Sequence, residues 1–205
     1  TFEVGNQALY AAYPASEVTT TDAGVKLTIP SSQSYVVARG TDLKDKLLLV
    51  GEATTEDNQN FTLSMAAAVL QFDVTLQAER EIRSITMTAE QCGFVGEGMV
   101  DFSTGSINQV NGKSLTLSYA APSKGVSKGG WATVAPVDFK SAAGKVFYEV
   151  LTDQGVITFC HKPELKMEAG EIYTVTLSVE DFVQVATKAE LVEGTYFDSN
   201  GMIEP

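Results

Sequence analysis

Alternation of apolar and polar residues with a period of two, repeated in segment after segment, is what most limits the folds open to this chain. Tyr173, Val175, Leu177 and Val179 alternate with Thr174, Thr176 and Ser178, and Leu115, Leu117 and Tyr119 alternate with Ser114, Thr116 and Ser118. Successive side chains of an extended strand point to opposite faces, so each such segment buries one face against a core. Val146, Tyr148 and Val150 follow the same rule. The turn residues Thr152-Asp153-Gln154-Gly155 come next, and Val156 to Cys160 runs back, so residues 145–161 read as a β-hairpin. Further strands are predicted at Leu9–Tyr13, Val25–Ile29, Tyr35–Ala38, Leu47–Val50 and Ile82–Met87. Long helical periods are absent. Polar loops are predicted at Glu52–Asn60, Gly105–Lys113 and Pro122–Gly130. The pattern predicts an all-β, sandwich-like protein of roughly ten or more short strands.

One stretch changes parity. Phe61, Leu63, Met65 and Ala67 share one face, whereas Leu70, Phe72, Val74 and Leu76 share the other. A straight strand cannot bury both sets against one core. Either a bulge near Val69 re-aims the chain, or the strand is central and covered on both sides; a helical turn over Ser64–Gln71 is the third reading, because Ala66-Ala67-Ala68 favours helix. The Thr and Phe residues and β-branched side chains that follow favour the bulged or shared strand.

Charge excludes some partners. Among 205 residues, 26 are acidic and 14 basic, a net charge of −12, and Lys and Arg form no cluster. A polyphosphate is repelled by such a surface, so no nucleic-acid partner is expected. The longest apolar run, Met65 to Leu70, falls well short of the ~18 residues of a membrane helix. No signal-peptide pattern opens the sequence. Cys92 and Cys160 form no Cys-x-x-Cys pair, and with His161 they give three Cys/His residues where a structural zinc site takes four, so no metal and no other cofactor is expected. The two cysteines are read as separate thiols rather than a disulfide.

The one motif with catalytic form is Gly125-Val126-Ser127-Lys128-Gly129, a Gly-x-Ser-x-Gly sequence followed by Asp138, Asp153 and the single histidine, His161. A nucleophile elbow needs a strand before the serine and a helix after it. Here Ala120-Ala121-Pro122-Ser123-Lys124 precedes and Gly129-Gly130-Trp131 opens a strand, so the motif reads as a loop and no catalytic residue is assigned. Glu52, Glu56 and Asp57 lack the spacing of a calcium loop, and Asp198-Ser199-Asn200-Gly201 reads as a turn. Trp131, Tyr10 and Tyr13 are either a sugar platform or, more commonly for such residues, core or interface aromatics.

Several segments, in order, resemble the fimbrillin family of bacterial fimbrial subunits and cell-surface adhesins. They are Ala8–Pro14 (ALYAAYP), Asp42–Thr54 (DLKDKLLLVGEAT), Phe61–Leu76 (FTLSMAAAVLQFDVTL), Ile82–Ile107 and, most recognisably, Leu165–Val179 (LKMEAGEIYTVTLSV) with its Ala-Gly-x-x-Tyr strand start. The resemblance implies two transthyretin-like antiparallel β-sandwich domains, drawn here at residues 1–58 and 59–180, the first lacking its initial strands. It implies export as a lipoprotein to the Gram-negative outer membrane and fimbrium, with a lipid anchor that this chain does not carry, Thr1 following a trimmed or processed segment. It further implies polymerisation with like or related subunits by strand donation, and a host or bacterial surface ligand. A carbohydrate- or ligand-binding β-sandwich module is the alternative.

The tail, residues 181–205, supplies the candidate donor. Val183, Val185, Ala189 and Leu191 share one parity with Thr187 between them, and Gln184, Lys188 and Glu190 take the other. A donated strand needs apolar residues at every second position. Burying four of them contributes roughly 4–10 kcal/mol before ordering costs. A short helix is the competing reading, with Thr187-x-x-Glu190 as capping box and Gly194 as stop.

Overall fold

The computed structural model describes residues 8–35, 47–54, 62–76, 80–124, 126–178, 196–197 and 203–204. The chain begins with β1 (Ala8–Tyr13), a single 3-10 turn (Ala15–Glu17), β2 (Val18–Thr21), β3 (Gly24–Ile29) and β4 (Ser32–Tyr35). Then come β5 (Leu49–Thr54), β6 (Ser64–Met65), β7 (Ala68–Thr75), β8 (Glu81–Ala89), β9 (Gly96–Asp101) and β10 (Ser106–Asn108). Two long strands, β11 (Ser114–Lys124) and β12 (Val126–Val134), are followed by β13 (Val137–Asp138), helix α1 (Phe139–Ala142), β14 (Val146–Thr152) and β15 (Gly155–His161). The last described elements are β16 (Lys166–Met167), β17 (Ile172–Ser178), β18 (Tyr196–Phe197) and β19 (Ile203–Glu204). The protein is an all-β sandwich, with one four-residue α-helix among the described residues.

Two groups of sheets carry the fold. In the first, β1-β5-β6 and β10-β9-β3-β2 are antiparallel sheets joined through Ala66. The Ala66 N–H donates to the Leu48 carbonyl (2.7 Å), and the Ala66 carbonyl accepts from the Ile107 N–H (3.0 Å). The result is a nearly continuous rolled sheet in the order β1-β5-β6-β10-β9-β3-β2. In the second group, the five-stranded sheet β15-β14-β8-β11-β4 faces the three-stranded sheet β12-β7-β17. Phe72 of β7 meets Tyr148 of β14 across the interior, ring centroids 6.4 Å apart and near perpendicular. One contiguous buried cluster runs from Leu27 and Ile29 through Leu70, Phe72 and Val74 to Ile85, Leu117 and Val150. Ladders β3–β9, β5–β6 and β4–β11 each pair a strand before residue 58 with one after it.

The parity change is resolved by a change of sheet. β6 pairs with β5, the chain breaks step at Ala66-Ala67, and β7 becomes the centre of the other sheet between β12 and β17. Alanine suits the crossing because Ala66, Ala67 and Ala68 are all buried where a larger side chain has no room. No helical turn forms there, because strand pairing on both flanks outweighs the local propensity of the alanines.

One predicted loop is strand instead, and another is strand in part. Within 122–130, residues 122–124 continue β11 and residues 126–130 open β12, and these two strands belong to different sheets. Pro122 lacks a backbone N–H, and the β11–β8 ladder accommodates it by shifting register between Ser118 and Ser123. Gly129 is the extra residue of a bulge, since Lys128 pairs with Asp73 and Gly130 already pairs with Phe72. The polar segment after Gly105 contains β10 and an isolated bridge, Val95 to Gly112. Other strands fall close to their predicted bounds, except that β5 starts later than expected and β4 shares only Tyr35 with the predicted Tyr35–Ala38, of which residues 36–38 lie outside the described residues. The 145–161 hairpin is present, with Gly155 at φ 126° where the left-handed region favours glycine. Cys160 is buried, Cys92 is half-buried, and no disulfide joins them.

A buried side chain of β4 helps to tie together the two sheets of the second group. Gln33 of β4 donates from Nε2 to the Thr133 carbonyl (2.8 Å) and accepts at Oε1 from the Thr133 N–H (2.9 Å). Both residues are buried. The amide imitates a neighbouring strand and satisfies β12 on the side away from β7. We expect Gln33→Ala to cost about 2–4 kcal/mol, because both Thr133 backbone groups then lose the Gln33 bonds in a buried site. Urea unfolding checks this, and a loss below about 1 kcal/mol would show the clamp to be redundant. A second expectation concerns α1. The Asp138 carboxylate caps it, accepting from the Ser141 N–H (2.9 Å) and Ser141 Oγ (2.6 Å), and these bonds hold its pKa below the ordinary carboxylate value. A lowered folded pKa means that the contribution is complete above about pH 4 and is lost as pH falls through the folded value. Asp138→Asn therefore flattens the acid limb of a melting-temperature–pH profile relative to the parent protein.

Candidate functional site

The hydrolase motif is taken apart by the fold. Ser127 lies in an extended antiparallel strand opposite Val74, and that strand runs on to Val134 instead of turning into a helix. His161 ends β15 in the other sheet and is exposed. Asp138 is occupied as the α1 cap, and Asp153 Oδ1 accepts from the Glu81 N–H at 2.9 Å in a β-hairpin turn. The glycines around Ser127 serve packing. Gly129 makes the bulge, and a Cβ on Gly130 would overlap the hydroxyl of buried Tyr119.

Other titratable groups are likewise structural. Asp101 accepts from the Ser103 N–H and Oγ and the Thr104 N–H in the β9–β10 turn, and the Ser103 hydroxyl leads the bonds that lower its pKa. Burial pushes the Tyr148 hydroxyl and the Cys92 thiol up, so neither ionises readily at neutral pH. Glu52 is exposed on β5 opposite Tyr10, whereas Glu56, Asp57 and residues 198–201 lie outside the described residues. Among the described residues no group of three or more His, Cys, Asp or Glu side chains is arranged to hold a metal ion.

The aromatic residues separate. Trp131 is partly buried against the core, and Tyr10 stacks on Phe102 with centroids 4.2 Å apart. Tyr13 is left about half exposed (49%), next to Pro14. The outer face of the five-stranded sheet is built differently. Ser114 stands opposite Thr88, Thr116 opposite Thr86 and Ser118 opposite Ser84, while Ser32 and Ser34 of β4 extend the same face beside Thr116 and Ser118. Hydroxyls pair across the strands, Thr86 with Thr116 at 3.0 Å and Thr88 with Ser114 at 3.1 Å. These positions on β4, β11 and β8 are all Ser or Thr, and on the next strand of the same face Phe147, Glu149 and Leu151 stand opposite Thr88, Thr86 and Ser84.

Backbone edges are the remaining reactive feature. Among the described residues β1 pairs only with β5, β2 only with β3, and β17 only with β7. Natural edges are commonly blunted with charge or proline. These three strands, Ala8–Tyr13 (ALYAAY), Val18–Thr21 (VTTT) and Ile172–Ser178 (IYTVTLS), carry neither. β1 and β2 are the two ends of the rolled sheet, and only residues 14–17 connect them. A link that short keeps the adjoining strand ends within about 18 Å of each other. The sequence pattern had marked β1 as a strand but gave no sign of which edges the fold leaves unpaired. The candidate donor residues Val183, Val185, Thr187, Ala189 and Leu191 lie outside the described residues.

Solved structures of similar shape come from Bacteroides species. A candidate cell adhesion protein from Bacteroides ovatus ATCC 8483 shares 20% identity and a TM-score of 0.47, over 82% of this chain and 62% of that one. One from Bacteroides uniformis ATCC 8492 shares 15% identity and a TM-score of 0.48, over 84% and 68%. One from Bacteroides fragilis NCTC 9343 shares 17% and 0.45, over 69% and 55%. The chain thus spans about three-fifths of the length of the Bacteroides ovatus protein. No curated protein is similar enough in sequence to count as a relative. The sequence profile described as Fimbrillin-like matches residues 2–195, a span that takes in every strand from β1 to β17, and on that match the chain belongs to the fimbrillin-like family.

Proposed function

We propose that this protein is a structural and adhesive subunit of a bacterial surface fimbria, linked to its neighbours by β-strand complementation. Family membership supports the fimbrial, cell-surface role. The observation that carries the linkage is the rolled sheet whose end strands, β1 and β2, lie at opposite ends of one ladder order, are uncharged, and are tethered by residues 14–17. One further strand needs about 4.8 Å on either side, a gap of about 10 Å, which the short tether permits. Such a strand would complete the ladders of both edges.

In this reading the donor is the tail of a neighbouring subunit, with Val183, Val185, Ala189 and Leu191 turned to the core and Thr187 in the same row. Partners are other fimbrial subunits, alike or related, and the outer membrane is reached through a lipid anchor outside this chain. The polar row Gln184, Lys188 and Glu190 faces water, so the donated strand keeps one wet side.

Deleting residues 182–205 is expected to leave a cooperatively folding core that no longer forms polymers, read by size-exclusion chromatography and thermal melting. The full-length Val185→Glu variant provides a second arm, because a charge in the buried row blocks insertion without shortening the chain. Assembly of both variants at the parent level would overturn the assignment of the donor.

A further inference from the structure

A half-open cleft of about 240 Å³ lies where the β1–β2 link meets the second group of sheets. Its lining includes Pro14 and Glu17 from the link, Ser32 and Ser34 from β4, and Leu47 and Leu48. Pro30 and the Gln33–Thr133 pair complete it. The volume is below the 300–1,000 Å³ of sites for drug-sized ligands and suits a single small ring. Proline and leucine offer C–H surfaces, while the serines and Glu17 offer hydrogen-bonding oxygens. Glu17 is the one charged residue among those lining the cleft, and it is half-buried.

We infer that this cleft holds one ring of a neutral saccharide, whose chain continues over the Ser/Thr face of the five-stranded sheet. Two observations converge on that ligand. Ser32 and Ser34 belong both to the cleft and to the hydroxyl face, so the pocket opens onto that face without a break. Within the cleft the one formal charge is the Glu17 carboxylate, an acceptor suited to sugar hydroxyls, and Glu149 of β14, opposite Thr86, borders the hydroxyl rows with a second carboxylate. Acidic glycans are disfavoured, since a uronate or sulfate would meet Glu17 on a chain of net charge −12. Tyr13, half exposed beside Pro14, supplies an aromatic surface near the cleft. The inference extends the adhesive part of the proposed function and is independent of strand donation.

The test uses the full chain and calorimetric titration with neutral gluco-, manno-, galacto- and xylo-oligosaccharides, with oligogalacturonate as the acidic counterpart. At least one neutral probe is expected to bind, and oligogalacturonate is expected to bind at least tenfold more weakly. Glu17→Gln should weaken the neutral probe about tenfold or more, the worth of one hydrogen bond to a charged group, and Ser34→Ala should weaken it less. Thr176→Ala on β17, in the other sheet, should leave binding unchanged. Failure of every neutral probe, equal binding of oligogalacturonate, or unchanged affinity in Glu17→Gln would overturn the site. Polymer assembly of Glu17→Gln is measured in parallel. Normal assembly with lost sugar binding separates this site from subunit linkage, whereas loss of both would overturn it as an independent site.

Discussion

Every strand at the margin of a sheet leaves a row of N–H and C=O groups that something must satisfy, and this fold is organised by how each row is treated. β12 is closed by an imitation strand, the Gln33 amide, which both donates to and accepts from Thr133. Ala66 welds β6 to β10 with one donated and one accepted bond. β1, β2 and β17 receive no such treatment from the described residues. The contrast is informative because an unsatisfied backbone pair costs as much wherever it is buried. These closures join sheets inside each group, whereas β1, β2 and β17 lie at margins open to another chain.

Much of this architecture is legible in the period-two pattern, and what escapes it shares one cause. The 145–161 hairpin and the strand at Tyr173 follow from alternation and turn chemistry, both local. The pairing of β4 with β11 and of β7 with β17 is parallel and joins distant segments, so no nearby residue announces it. Gln33 sits in Ser31-Ser32-Gln33-Ser34, a stretch that reads as polar surface, yet it is buried. Its role exists only once Thr133, a hundred residues on, is beside it.

The misread segment 122–130 shows the same limit from the other side. Proline and glycine signal loops because they disrupt regular ladders. They can also sit within long strands that contain their own irregularities, as Pro122 does at a register shift in β11 and Gly129 does at a bulge in β12. The identical glycine chemistry that imitated a catalytic elbow thus produces a bend in a strand. Motif spacing records which residues can bend; it does not record what the bend is for. For the candidate site the loss is greater still, because unpaired edges, the cleft and the hydroxyl face are all products of tertiary assembly.

Uncharged open edges pose a hazard that the rest of the composition offsets. A strand such as Ala8–Tyr13, free of charge and proline, invites pairing with any extended chain, including unwanted copies. A net charge of −12 places whole molecules in mutual repulsion, and that repulsion acts on the approach of any two surfaces. It falls off with the Debye length of about 8–10 Å, so it discourages broad face-to-face association more than the entry of one nearly neutral strand into a narrow gap. Acidity and bare edges therefore act together. Under the proposed strand complementation, the first suppresses lateral association, and the second leaves the geometry of a single strand as the favoured way for two copies to join.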